Sequence, residues 1–179
     1  MKIKSKIILA LGLLGLVVPL QAEDPLEYWL ADTAPFWDWD GPSFMREASK
    51  LGFSWTSENQ SARAAPLKSQ LFGADVLEAV VRFEDGSPDS FMVSYFNRGD
   101  AEDDLSEADF QKQVRERIAT ISSTIRVHPR PGNRTSSRND VRDDSRIWQR
   151  ERIQFELSYS YTTSGGFRAE YIRLVAKEF

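Results

Sequence analysis

Arginines recur at every fourth residue from position 126 to position 150. Guanidinium groups bind carboxylates and phosphates through paired hydrogen bonds, so the series indicates a surface for a polyanion or an acidic partner. The segment 126–152 holds eight arginines against four acidic residues, a net charge of +4. Pro129 and Pro131 prevent one helix from aligning the whole series. The alternative is a solvated loop whose arginines pair with its own acidic residues. The candidate partner-binding arginines are Arg134, Arg138 and Arg142.

Two tryptophans form a second candidate surface. Trp37 and Trp39 alternate with Asp38 and Asp40. Tryptophan offers a large contact area at a small entropic cost, which suits the anchor of a protein partner or a surface that stacks on sugars. The alternative is that the aromatic residues of this region cover a sheet. Trp37 and Trp39 are the two that we expect to stay exposed, in a cluster that consists of Tyr28, Trp29, Phe36, Trp37, Trp39, Phe44, Phe53 and Trp55.

The remaining reactive residue types indicate no catalytic, cofactor or metal site. His128 is the only histidine, and no motif fixes a nucleophile beside it. The chain has no cysteine, which excludes thiol catalysis, cysteine-ligated zinc and iron–sulfur chemistry. The acidic segment 100–107 lacks the ligand spacing of an EF-hand.

A β-hairpin over Leu77–Phe96 organises the predicted fold, since two runs rich in β-branched and aromatic residues flank the turn cluster Glu84–Asp89. Alternating apolar residues predict a long strand over Ile147–Tyr161 and a closing strand over 167–176. Because hairpins dominate, we predict an α+β fold: a single antiparallel sheet of about five to six strands with two helices packed on one face.

The clearest predicted helix has a capping box at Ser106 and Asp109. Its apolar stripe consists of Phe110, Val114, Ile118, Ile121 and Ile125. The polar sides are assigned to Lys112, Arg115, Glu116 and Arg117. A shorter helix is predicted from Pro42, with Asp40 or Gly41 as its cap.

The N-terminus has the pattern of a secretory signal. Three lysines precede an apolar run that is too short for an ordinary membrane span, and Ala22 suits cleavage. We therefore predict a signal peptide over 1–22, export to the periplasm or the extracellular space, and no stable membrane span after cleavage. Residues 23–179 form one α+β domain with a polar loop at about 128–145. Their 20 basic and 27 acidic residues give a net charge of −7, which argues against general nucleic-acid binding.

Four short motifs carry a resemblance to a known kind of module: Gly52-Phe53-Ser54-Trp55, Leu71-Phe72-Gly73, Val81-Arg82-Phe83 and Tyr95-Phe96-Asn97-Arg98-Gly99-Asp100. With them the chain resembles the N-terminal, non-catalytic module of exported bacterial proteins, some of which carry a papain-like (C39-type) cysteine peptidase domain. The resemblance implies a module without the peptidase, because this chain has no cysteine. Peptidase activity is not implied.

These observations leave three functions open. The first is a non-catalytic exported domain that binds a protein partner, with a peptidase as one possibility. The second is a small-molecule or glycan-binding domain that uses the surface at Trp37 and Trp39. The third is a carboxylate-dependent hydrolase, which needs two acids facing each other across a cleft.

Overall fold

The predicted central hairpin is present in the computed structural model, which describes residues 27, 30, 36–48, 53–66, 70–97, 106–132, 136–138, 141–162 and 171–179. Its strands pair antiparallel and meet at a two-residue turn, Asp85–Gly86. Both turn residues have positive φ, 51° and 87°, which is why a glycine stands at the second position.

The described elements comprise one 3₁₀ turn, two α-helices and eleven strands. The 3₁₀ turn covers Phe36–Asp38, α1 covers Gly41–Ala48 and α2 covers Glu107–Ile125. The strands are β1 Phe53–Glu58, β2 Ser61–Pro66, β3 Gln70–Leu71, β4 Ala74–Asp75, β5 Glu78–Glu84, β6 Ser87–Asn97, β7 Arg130–Pro131, β8 Ser136–Arg138, β9 Val141–Arg150, β10 Ile153–Thr162 and β11 Tyr171–Glu178.

The main sheet is antiparallel and has nine strands. Eight lie in the order β1-β2-β5-β6-β11-β10-β9-β7, and β8 also pairs with β9, while β3 and β4 form a separate two-stranded sheet. The predicted single sheet of five to six strands with two helices on one face is therefore wrong. The missed strands β2, β7 and β8 are short or polar, and they form because neighbouring strands offer hydrogen bonds rather than because their own sequences alternate.

The C-terminal prediction also needs correction. The single strand expected over Ile147–Tyr161 is two strands, β9 and β10, joined at a turn where Glu151 has a φ of +50°. The turn changes which residues face the core, so Trp148 rather than Ile147 lies beside Phe155. Strand β9 begins at Val141, so the polar loop predicted at about 128–145 ends earlier than expected and includes β7 and β8.

One face of the main sheet carries the hydrophobic core. Phe36 of the 3₁₀ turn contacts Phe91 of β6 edge to face at 5.8 Å, and Phe72 contacts Phe155 of β10 at 6.2 Å. The indole N–H of Trp148 donates to Ser122 Oγ of α2 at 2.9 Å. The core-facing residues of the central strands are Ala79, Val81, Phe91, Val93, Phe155, Leu157, Leu174 and Ala176.

The structure confirms the predicted start of α2, but it buries one residue that the sequence pattern assigns to a polar side of the helix. Ser106 caps the helix and accepts a hydrogen bond from the Asp109 N–H. Arg117, which was assigned to a polar side, is 7% exposed, and its guanidinium lies 5.6 Å from the ring centroid of Tyr95. A register shift leaves Tyr95 without a cross-strand partner, so both Tyr95 and its neighbour Phe96 face α2.

Helix α1 begins as predicted, because the Asp40 carboxylate accepts from the Ser43 N–H at 2.8 Å. The predicted signal peptide at 1–22 lies outside the described residues. Neither α1 nor α2, the described helices, has the length and apolar composition needed to cross a membrane.

Candidate functional site

A small cavity lies between helix α2 and strands β9 and β10. Its volume is about 210 Å³, and we call it the Arg146 groove. Its walls are Phe110, Gln111, Val114, Arg115 and Ile118 from the helix and Asp144, Arg146, Tyr159 and Tyr161 from the strands. The helix contributes apolar side chains and the strands contribute aromatic and charged ones, which is the mixture typical of ligand sites.

Strand geometry brings the charged residues of the groove together. Asp144 and Arg146 are two residues apart on β9 and therefore share a face, and Tyr159 of β10 lies directly opposite Asp144. Arg146 Nη1 donates to Asp144 Oδ1 at 2.7 Å, and Tyr159 Oη donates to Asp144 Oδ2 at 2.8 Å. The backbone N–H of Ser145 also donates to Asp144 Oδ1 at 2.8 Å. Both carboxylate oxygens are thus occupied.

The electrostatics favour the charged pair and the neutral tyrosine. Partial burial opposes ionisation of Asp144, but hydrogen bonds from Arg146, Tyr159 and the Ser145 N–H outweigh it and lower the pKa of this carboxyl. Burial, and then the hydrogen bond to Asp144, raise the pKa of Tyr159, so its hydroxyl keeps its proton and remains a donor. Asp144 is therefore an ionised acceptor that orients its two neighbours.

Arg146 is held in place with part of its guanidinium free. Nη1 donates to Asp144 and to the Ser145 carbonyl at 2.8 Å, and within the described ranges the guanidinium makes no other hydrogen bond. The side chain is 28% exposed, and its guanidinium carbon lies 5.9 Å from the Tyr159 ring centroid. Nε and Nη2 remain as donors for an acceptor in the groove, and their orientation is fixed before binding.

Further arginines surround this position. Arg115 lines the groove from α2, and Arg142 lies two residues before Asp144 on the same face of β9, opposite Tyr161. Both are exposed, and neither makes an ion pair with another described residue. Glu107, also exposed, lies one helical turn before Gln111 and accepts its amide hydrogen bond. The groove lining holds Arg115 and Arg146 against the single acid Asp144, so it carries an excess of positive charge.

A larger concavity lies at the tips of the hairpins, and we call it the hairpin-tip cavity. Its volume is about 590 Å³. Pro42, Met45 and Phe83 form its apolar part, and Asp40, Ser57, Asn59, Gln60 and Asp85 form its polar part. A second concavity of about 690 Å³ shares Asn59, Gln60, Phe83 and Asp85 with it.

The candidates selected from the sequence are not brought together. Trp37 is 2% exposed and belongs to the core, so the expectation that it stays exposed is wrong. Trp39 is partly buried, with its ring 5.6 Å from Phe36. Arg142 lies on β9, and strands β11 and β10 separate β9 from β6, on which the tryptophan segment packs. Arg134 lies outside the described residues, and Arg138 is described only as part of β8.

Among the described residues, the other candidates for a site are the histidine, groups of metal-ligating side chains and buried carboxylates. His128 is exposed in the segment between α2 and β7. Across the part of the chain that the structure describes, no group of three metal-ligating side chains occurs. The buried polar side chains there are Arg117, Ser145, Ser158, Ser160 and Thr162, and none of these five is a carboxylate.

The combination of Asp144, Arg146 and Tyr159 was not predicted. An acid and an arginine two residues apart share a strand face, and that pattern was available in the sequence. It was missed because residues up to Ser145 were assigned to a loop, where such spacing carries no information.

Comparison with other proteins adds no assignment to this geometry. Neither a family model, nor a curated protein, nor a solved structure matches the chain.

Proposed function

We propose that this protein is a non-catalytic, exported binding module whose protein partner places an acidic group in the Arg146 groove. The observation that carries the proposal is the guanidinium of Arg146, which Asp144 and the Ser145 carbonyl hold through Nη1 alone. A carboxylate of the partner would accept from Nε and Nη2, while Arg115 and Arg142 attract it at longer range. The export pattern of residues 1–22 and the module resemblance make an exported peptidase the first partner to test.

The structure changes which surface should dominate binding. Of the two candidate surfaces that the sequence offers, the one at Trp37 and Trp39 loses its first tryptophan, because Trp37 is buried in the core. Binding should therefore depend on charge, so affinity should fall as salt rises. The contribution of one charge-assisted hydrogen-bonded contact is about 1.5 to 3 kcal/mol, which corresponds to roughly a ten- to hundred-fold change in affinity.

The test is capture of exported proteins from the source by the immobilised domain, followed by quantitative binding to the captured protein. Arg146→Gln should weaken binding by about ten- to hundred-fold. Asp144→Asn should weaken it less, because the arginine stays but loses its fixed orientation.

Arg130→Gln is the matched control, since Arg130 is exposed and lies on the opposite face of the sheet, beside Ile147. It removes the same charge and should leave binding within about two-fold. Circular dichroism must show that each variant is folded. Equal loss in Arg146→Gln and Arg130→Gln, or binding insensitive to both, would refute the assignment of the partner surface to the groove.

The hairpin-tip cavity supports a second candidate, a small-molecule or glycan-binding domain. Its volume of about 590 Å³ lies within the range of small-ligand sites, and its lining combines apolar and polar residues. The test is saturation-transfer NMR with a panel of oligosaccharides and small metabolites, using Met45→Trp to fill the cavity. A ligand whose signal survives Met45→Trp does not bind there.

A further inference from the structure

Strand β1 is the last strand at one end of the main sheet. Among the described strands it pairs with β2 alone, through a hairpin whose flanking residues are Glu58 and Ser61. Residues that flank a two-residue turn exchange both backbone hydrogen bonds, and bonded and non-bonded pairs alternate from there. The hydrogen bond from the Phe83 N–H to the Gln60 carbonyl, at 2.9 Å, agrees with this alternation, because it shows which residues of this hairpin bond towards β5 instead of β1.

The alternation of bonded and non-bonded pairs determines which backbone groups of β1 face away from β2. The N–H and C=O groups of Phe53, Trp55 and Ser57 point away from β2, and no described residue bonds to them. Such a row of unpaired groups is a template for another strand. Phe53–Ser57 contains no charge, proline or glycine, the features that natural sheets use to block such pairing.

The opposite end of the sheet is different. There β7 and β8 have two and three residues, and β7 consists of Arg130 and Pro131. A proline has no N–H, and a short strand offers little to pair with. Pairing of β1 with the β7 and β8 end of another molecule is therefore disfavoured. Two β1 edges, in contrast, offer each other the same unpaired backbone groups.

We propose that β1 pairs with β1 of a second copy of this chain, antiparallel about a two-fold axis at Trp55. In this register Phe53 faces Ser57 of the other copy and Trp55 faces its equivalent, with about six backbone hydrogen bonds in total. Ser54 lies opposite Thr56 of the other copy on the outer face, a favourable hydroxyl pair. The two-fold arrangement closes, so the product is a dimer and not a fibre.

The contact is small, so the dimer is weak. Stable interfaces bury about 1,200 to 2,000 Å² in total, and two short strands bury less. We expect a dissociation constant on the order of 10 to 100 μM. Sedimentation velocity over a range of concentrations spanning this value should show a reversible monomer–dimer equilibrium.

Ser57→Pro tests the edge directly. Its N–H faces outward, a position where an edge strand accepts proline, so the domain should stay folded while the dimer weakens by at least about ten-fold. Ser57→Ala keeps the N–H and is the matched control, with dimerisation within about two-fold of the original. Unfolding curves of both variants confirm the fold.

A pair of double variants tests the register and keeps the proposal testable if Ser57→Pro fails to fold. Ser54→Lys/Thr56→Glu places opposite charges across the proposed interface, whereas Ser54→Glu/Thr56→Glu places like charges there. Both put the same acid opposite Arg63 of β2, so they differ only at position 54. The first should dimerise more tightly than the second by about two- to thirty-fold. A monomer at every concentration, open-ended oligomers, or a dimer indifferent to these changes would overturn the proposal.

Discussion

Arg117 offers the sharpest test of how the core is built, because the structure buries a cation that the sequence pattern assigns to a polar side. The side chain is 7% exposed, and burial lowers the pKa of its guanidinium. Arg117 Nη1 and Tyr95 Oη are both buried, and neither has a hydrogen-bond partner among the residues that the structure describes. A buried donor without an acceptor costs about 1 to 3 kcal/mol, and the contact with the Tyr95 ring recovers about 0.5 to 2 kcal/mol.

Replacing this arginine with methionine should therefore stabilise the domain. Arg117→Met keeps an unbranched aliphatic side chain at this buried position of α2 and removes the unsatisfied charge. Arginine and methionine have similar helix propensities, so the backbone contributes little to the difference. We expect the free energy of unfolding to rise by about 1 kcal/mol.

The assay is urea unfolding followed by far-ultraviolet circular dichroism and tryptophan fluorescence, with an unchanged m-value as the sign of an unchanged fold. Lys112→Met on the same helix is the control. Lys112 is 67% exposed in a 4.0 Å pair with Glu116, so this change should stay within about 0.5 kcal/mol. A loss of more than about 1 kcal/mol in Arg117→Met would refute the reasoning, because the guanidinium would then have a stabilising partner.

Three further changes test particular contacts by the same unfolding assay. Ser122→Ala should lower the free energy of unfolding by about 1 to 3 kcal/mol, because the Trp148 indole N–H would stay buried without its acceptor. Gly132→Ala should cost about 1 to 3 kcal/mol, since the new Cβ would overlap Ser145 Oγ and lie 2.9 Å from Ser145 Cβ. The lowered pKa of Asp144 means that its stabilising effect is complete above the ordinary carboxyl pKa of about 4 and is lost as the pH falls through the lower folded value. The difference between the native chain and Asp144→Asn should therefore shrink from about pH 5 to pH 2.

Matched variants identify the cause of each effect. Ser123→Ala removes an exposed hydroxyl that bonds only to the Thr120 carbonyl, and it should have little effect. Gly41→Ala adds a methyl group where no atom lies within 4 Å, so it should be tolerated. If the two serine changes are equally harmful, the bond to the indole contributes nothing. If Gly132→Ala is neutral, the chain near Ser145 adjusts freely. A pH-independent difference for Asp144→Asn would contradict the assigned hydrogen bonds.

Local patterns predicted individual elements well and the assembly poorly. The capping box at Ser106 and the turn at Asp85–Gly86 have local chemistry, so both could be read from the sequence. The core face of strand β2 carries only the small side chains of Ala62 and Ala64, and the strand forms because β1 and β5 offer hydrogen bonds on both sides. No window of sequence contains that information.

The candidate site shows the same division. Arg142 was selected from the arginine repeat, but a period of four describes a helix, and this segment is a strand with a period of two. The relevant neighbours of Asp144 are therefore Arg146 along the strand and Tyr159 across it. The burial of Trp37 depends on Phe36 and on the sheet beneath it, which spacing alone does not reveal.

The position of β11 has a consequence for the order in which the chain can fold during synthesis. This strand comes last among the described elements, yet it lies between β6 and β10 and joins the two halves of the sheet. A ribosome releases residues 171–178 only after every other described strand has emerged. Until then the edges of β6 and β10 both lack their partner, and the hydrophobic core cannot close over them. Completion of the sheet therefore has to wait until the last of the described strands has emerged. A chain that lacks this strand would have two unpaired strand edges, at β6 and β10, which are prone to pair with other molecules. It would not form a smaller stable domain.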